Sequence, residues 1–161
     1  MLLDAVLATA RNCGFGQTVL ALGGAAADLE RTVDTSGCDV VLNPDFGEGC
    51  ASSIATALAA LHPGTSAVVL LLGDQPGVRA ASVRAVLGAL QPTPAHTAGI
   101  AVCRYDDGVG HPMAFARRLL PDLAALHGDT GVEVRTAGPV PPDVDTEDDY
   151  RRLLAGLLGA L

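Results

Sequence analysis

The sequence predicts a three-layer α/β domain: a doubly wound, mostly parallel sheet covered by helices on both faces. Two observations carry this prediction. Apolar runs of strand length, of which residues 67–72 are the strongest, alternate with segments whose apolar residues recur at helical spacing. A strand that reads as a continuous apolar run is buried on both faces, as in parallel sheets held between helix layers. The palette agrees. Of 161 residues 49% are hydrophobic, only 3% are aromatic and Trp is absent, so Ala, Val, Leu and Ile must build the core of what reads as one domain over residues 1–161.

The elements follow in order. Leu2, Leu3, Val6, Leu7 and Ala10 form a helical stripe that stops near Gly14. Residues 18–22 read as a strand closed by Gly23-Gly24, and residues 25–33 as a helix of small residues. Residues 39–42 make the next strand, ending at Asn43-Pro44. Cys50, Ile54, Leu58 and Leu61 share one helical face, and residues 66–72 form the strongest strand. Val83, Val86, Leu87 and Leu90 mark another helix, and residues 99–103 another strand. Farther on, residues 112–115 read as a strand, 119–126 as a short helix and 132–135 as an edge strand. Thr146 is placed to cap a helix with an acidic first turn, striped by Leu153, Leu154, Leu157, Leu158 and Leu161.

Charge and cysteine usage exclude several classes. Acids outnumber bases 18 to 10, all ten bases are Arg, and the net charge is −8. No basic stripe exists to hold a nucleic-acid backbone, and without Lys a P-loop is excluded. No apolar run approaches the ~20 residues of a membrane span, and the first residues lack the positive segment of a signal peptide. The cysteines at 13, 38, 50 and 103 have no zinc-like spacing and are expected to be reduced, mostly buried side chains of a cytoplasmic protein.

In open α/β sheets ligands bind beyond the carboxyl ends of the strands, so the residues after each apolar run matter most. Asp74, in Gly73-Asp74-Gln75-Pro76, follows the strongest strand directly. It fits either a turn-capping acid or a ligand of Mg²⁺, which takes one or two carboxylates with substrate phosphates and water. Asp145 fits either an organiser of the Thr146 cap or a second ligand. Ser52 and Ser53 read equally as early-turn polar residues and as hydroxyls offered to a ribose or base. His111, in Gly110-His111-Pro112, reads as a histidine of a polar loop, either simply exposed or facing a ligand.

Taken together, these blocks resemble a known family. Asn43-Pro44-Asp45-Phe46-Gly47-Glu48-Gly49-Cys50-Ala51-Ser52-Ser53, Leu72-Gly73-Asp74-Gln75-Pro76, Gly110-His111-Pro112, Gly128-Asp129-Thr130-Gly131 and Asp143-Val144-Asp145-Thr146-Glu147-Asp148 occur in that order. The succession resembles the MobA-like nucleotidyltransferases, in their molybdenum cofactor cytidylyltransferase branch. The resemblance implies a nucleotide-diphosphosugar transferase-like fold and an enzyme that moves CMP from CTP, or GMP from GTP, to molybdopterin. It also implies that Asp74 and Asp145 are catalytic and hold Mg²⁺. By the same resemblance, Asn43, Gly49, Ser52, Ser53, Gly73 and Asp74 bind the nucleotide, while Gly110, His111 and Pro112 face the pterin. Two alternatives stay open: a different phosphorylated acceptor, or a noncatalytic molybdopterin-binding accessory of a molybdenum hydroxylase.

The sequence departs from that family in two places. Relatives open with a strand and a glycine-rich loop of the form L-A-A-G-x-S-x-R-M-G-x-x-K, whereas Leu2 onward resembles the helix that follows the loop. Only residues 132–142 separate Gly131 from Asp143, where relatives carry a longer stretch. The chain is therefore expected to be N-terminally incomplete, catalytically poor as given, and left with apolar surface and an unpaired strand edge at the sheet centre.

Overall fold

The computed structural model of the chain describes residues 2–24, 26–92, 98–125 and 132–158. Its helices are α1 (Leu2–Arg11), α2 (Ala26–Thr32), α3 (Cys50–Ala59), α4 (Ala80–Ala89) and α5 (Glu147–Leu158). Its strands are β1 (Val19–Leu22), β2 (Asp39–Leu42), β3 (Ala67–Leu70), β4 (Ile100–Arg104), β5 (Val109–Ala116) and β6 (Val132–Arg135). Two 3-10 segments, Phe46–Glu48 and Arg117–Ala125, complete the described elements. No helix among the described residues is long and apolar enough to cross a membrane.

The larger sheet has the order β3-β5-β4-β6 and shows why the fold has three layers. Successive side chains of β4 point to opposite faces. Ala101 and Cys103 join Val86 and Leu90 of the α4 segment in one buried cluster. Ile100 and Val102 join Phe115 and Leu123, with Ile54 and Leu58 of α3 packed against them, in the other. The continuous apolar run thus serves two cores at once, which is the fold class that the sequence predicts. α1 lies on the α4 side, where Thr9 Oγ1 donates to Val78 O just before α4 (3.3 Å).

The strands are less uniformly parallel than expected. β1 pairs with β2, and β4 with β6, in parallel. β5 runs antiparallel to both β3 and β4. The cause is local. Tyr105 N–H donates to Gly108 O (2.7 Å), so β4 turns into β5 through a tight hairpin at Asp106-Asp107-Gly108, and a connection that short cannot return a parallel strand. β5 also begins earlier than expected, which puts His111 within a strand and not in a polar loop. The pairing skips from Val102↔Met113 to Cys103↔Gly110, so His111 and Pro112 bulge out of register at the rim of the sheet.

Two other expectations change. The helix expected over 119–126 is a 3-10 segment containing Pro121, which lacks the N–H that a regular α-helix would use. The cysteines are free as expected but not mostly buried: only Cys103 is, whereas Cys13 and Cys38 are half-buried and Cys50 is exposed. Leu126, Leu161 and the block Gly128-Asp129-Thr130-Gly131 lie outside the described residues.

The sheet comes in two pieces. β1 and β2 form a pair of their own, separate from the four-stranded sheet. Among the described residues β1 pairs only with β2, and β3 only with β5, so each leaves one long edge without a strand. Gln17 bridges the pieces at their foot. Its side-chain amide donates to Ala60 O (2.9 Å) and accepts from His62 N–H (2.8 Å), tying the start of β1 to the end of α3 and the loop that leads to β3.

Candidate active site

The chain leaves β3 and folds back at once, with Gln75 N–H donating to Leu72 O (3.2 Å). This turn holds Asp74 at the carboxyl end of the sheet. Asp74 Oδ1 and Gln75 Oε1 are buried and have no hydrogen-bond partner among the described residues. A buried carboxylate oxygen without a donor is costly unless something supplies positive charge or an N–H, so this oxygen is open to a ligand that does.

A strap over residues 136–144 brings the second acidic segment to the first. Asp106 N–H donates to Gly138 O (3.0 Å), and Gly138 N–H returns a bond to Asp106 Oδ2 (3.0 Å). Val140 N–H donates to Asp107 Oδ1 (2.7 Å), and Val144 N–H to Asp74 O (3.1 Å). Residues 74 and 143–145 are 69 or more positions apart in sequence, yet this last bond makes them neighbours. The strap passes so close that a Cβ on Gly110 would lie 2.8 Å from Val140 Cγ1, so any side chain there would have to displace Val140.

Within that segment the two acids are used differently. Asp143 Oδ1 accepts from Gln75 Nε2 (2.5 Å), which turns its carboxylate toward the Asp74 turn. Both acids are exposed, and Asp145 stands immediately before the cap of α5. There the Thr146 hydroxyl accepts from Asp149 N–H (3.2 Å), while Asp149 Oδ2 accepts from Thr146 N–H (2.9 Å), a reciprocal capping box. The Thr146 hydroxyl, with backbone N–H groups, holds the Asp149 carboxyl below its usual range. Asp143 is the carboxylate that sequence reasoning passed over. Its signal, a position two residues before Asp145 in the same motif, does not reveal which acid the Gln75 amide holds.

His111 faces the same acids. Burial pushes its pKa below the usual value, against the opposing pull of Asp143 and Asp74. The bulge contains a cis peptide bond between His111 and Pro112. The buried Tyr105 fixes it by donating from its hydroxyl to His111 O (2.6 Å). Pro112 is fully buried, and Gly110, His111 and Pro112 form one side of the rim as a unit.

The loop after β2 makes the other group. Asn43 is 97% removed from solvent, and its Nδ2 donates to the Ser52 and Ser53 hydroxyls (2.9 Å each). Its Oδ1 accepts from Asp45 N–H (3.0 Å). Ser52 Oγ donates in turn to the backbone carbonyls of Gly49 and Asp45. Asn43, Gly49, Ser52 and Ser53 are therefore together, as expected, with the hydroxyls spent first on shaping the loop. Gly49, at φ 101°, sits where a side chain would be strained. Phe46 lies over Gly23-Gly24, whose Cβ positions would both fall 2.7 Å from its atoms.

The chain is similar to known proteins over most of its length. Residues 1–138 match the MobA-like NTP transferase domain. A homologue of Mycobacterium tuberculosis Rv0371c from Mycobacterium sp. strain JC1 is similar at 42% identity and a TM-score of 0.88, over 100% of this chain and 85% of that one. Rv0371c of Mycobacterium tuberculosis, solved in complex with manganese, is similar at 44% identity and a TM-score of 0.83, over 96% and 87% of the two chains. A nucleotidyl transferase from Methanothermobacter thermautotroptrophicus shares the fold at 19% identity, with a TM-score of 0.77 over 100% and 82%. No curated protein matches the chain.

Proposed function

The chain belongs to the MobA-like NTP transferase domain family, and from that premise we propose that it transfers CMP from CTP, or GMP from GTP, to the phosphate of molybdopterin. One observation carries the reading: the buried, partnerless Asp74 Oδ1 stands beside the 143–145 segment at the carboxyl end of β3. Hard carboxylate oxygens at a phosphate-binding rim suit a divalent cation such as Mg²⁺, and a relative at 44% identity has been solved with manganese. Asp74 would hold the ion, with Asp145 as the resemblance implies and Asp143 as the geometry adds. No three metal-binding side chains come together among the described residues, so Asp74 would share the ion with at most one of these two acids, and substrate phosphates and water would complete its shell. Bound there, the ion supplies charge to offset that of the triphosphate in a chain of net charge −8.

The protein's own residues do the rest by positioning. The loop that Asn43 braces presents Gly49, Ser52 and Ser53 to the nucleotide. The bulge held by Tyr105 presents Gly110, His111 and Pro112 to the acceptor. His111, kept neutral by burial, offers a hydrogen bond without adding charge. An oxygen of the acceptor phosphate attacks the α-phosphorus in line, the bond to the β-phosphate oxygen breaks, and pyrophosphate leaves. A pyrophosphate-release assay with Mg²⁺, CTP or GTP, and molybdopterin tests the reading. Release that needs molybdopterin and disappears in Asp74→Asn supports it. Release with another phosphorylated acceptor instead moves the substrate, and molybdopterin binding without any release makes the protein an accessory.

A further inference from the structure

The strap over residues 136–144 is tied to the β4–β5 hairpin in an economical way. Residues 139, 141 and 142 are proline, so the backbone from Gly138 to Pro142 carries only two N–H groups. Both go to hairpin carboxylates: Gly138 N–H to Asp106 Oδ2 (3.0 Å) and Val140 N–H to Asp107 Oδ1 (2.7 Å). An ionised acceptor makes such bonds stronger than neutral ones. Asp106 and Asp107 are exposed, and the proposed reaction gives neither of them a role. Beyond Val140 the strap is stiff, because Pro141 and Pro142 each hold φ near about −65°. Pro141 is buried, resting against Gly77 of the turn after β3. Past the prolines, Val144 N–H donates to Asp74 O (3.1 Å).

We propose that Asp107 is a positioning residue for the cation site: its carboxylate clamps Val140, and the Pro141-Pro142 link carries that constraint to the acids of residues 143–145 beside Asp74. The inference rests on the proposed reading that a divalent cation binds there. Backbone stiffness is what transmits the clamp. The chain has two soft dihedrals per residue, and each proline removes one of them, so fixing Val140 leaves the acids that follow few ways to move. Without the clamp water takes the Val140 N–H, and the acids must be ordered at the moment the cation binds, which weakens binding. The same clamp reaches the acceptor side. A Cβ on Gly110 would meet Val140 Cγ1 at 2.8 Å, so holding Val140 also sets how closely the strap covers the residue before His111.

The test needs neither nucleotide nor turnover. Mn²⁺ alone is titrated into the full chain, with the free ion read by electron paramagnetic resonance, and amide hydrogen exchange is followed at Val140 and Val144 without the ion. Asp107→Ala removes the acceptor. Asp107→Asn loses the same charge but keeps an oxygen for the Val140 N–H, so the difference between the two variants isolates the hydrogen bond. Asp107→Ala is expected to weaken Mn²⁺ binding by about tenfold, as loss of an outer support does at metal sites, and to speed exchange at Val144 as well as at Val140. Asp107→Asn is expected to recover most of both. Pro142→Gly, at an exposed position, loosens the link while the clamp stays, and is expected to weaken Mn²⁺ binding with Val140 still protected. Equal affinity in Asp107→Ala and the unaltered chain, equal losses in Asp107→Ala and Asp107→Asn, faster exchange confined to Val140, or unchanged binding in Pro142→Gly would each overturn the proposal and leave the cation reading standing. No Mn²⁺ binding by the unaltered chain would overturn both.

Discussion

Gln75 Nε2 donates to Asp143 Oδ1 across 68 positions of sequence (2.5 Å), joining the turn after β3 to the strap that precedes α5. The bond fixes an acidic side chain beside Asp74 while leaving the inner oxygen of Asp74 without a donor. Replacing this amide by a carboxylate makes the consequence measurable. Gln75→Glu places a third acid at the turn and lowers stability by about 1–3 kcal/mol in the absence of divalent ions. Added Mg²⁺ or Mn²⁺ raises its Tm more than that of the unaltered protein. Equal gains in the two proteins would mean that no cation binds at this turn.

Asn43 is the brace of the opposite loop, and its removal leaves the Asp45 N–H and two serine hydroxyls short of a partner. Asn43→Leu is expected to cost roughly 2–3 kcal/mol in denaturant unfolding. In the folded fraction it raises KM for the nucleotide more than it lowers kcat. An unchanged KM would show that the loop does not touch nucleotide.

Burial, with Cys103 alongside, pushes the Tyr105 hydroxyl up to about 12 from its usual 10.0. The folded state therefore keeps its proton where the unfolded state has lost it. This contribution is fully present below pH 10 and disappears as pH rises toward 12. Tyr105→Phe, which also loses the bond to His111 O, shows a smaller fall in Tm between pH 10 and 12. Parallel curves for the two proteins would remove Tyr105 as the cause.

The glycines under Phe46 make a graded pair. At Gly23 a Cβ meets Phe46 Cβ, close to the backbone, whereas at Gly24 it meets Cζ at the end of a ring that is 56% exposed. Gly23→Ala must shift the 46–48 turn and is expected to weaken nucleotide binding by about tenfold, near the 1–3 kcal/mol range of overpacking. Gly24→Ala needs only a ring rotation and changes binding less than threefold. Equal effects, measured by titration calorimetry, would contradict the contact geometry.

The strands were legible because a run such as residues 67–72 has no polar position to place in water, and the helices because their stripes match 3.6 residues per turn. Direction was less legible. The antiparallel β5 depends on the turn at Asp106-Asp107-Gly108, a signal hidden in a stretch that reads equally well as a ligand loop after a parallel strand. The rim acids show the same limit. Alternation along residues 143–145 puts two carboxylates on offer, and only the distant Gln75 amide turns Asp143 toward the Asp74 turn. The Asn43, Ser52 and Ser53 grouping was readable because those residues are only nine or ten positions apart and span one strand end and one helix start.

Titration calorimetry of CTP against the protein, with and without Mn²⁺, tests the nucleotide–cation site most directly. The geometry predicts binding that requires the cation in the unaltered chain, is lost in Asp74→Asn with the fold intact by circular dichroism, and weakens in Asp143→Asn. Cation-independent binding, or binding by Asp74→Asn equal to that of the unaltered chain, would contradict it.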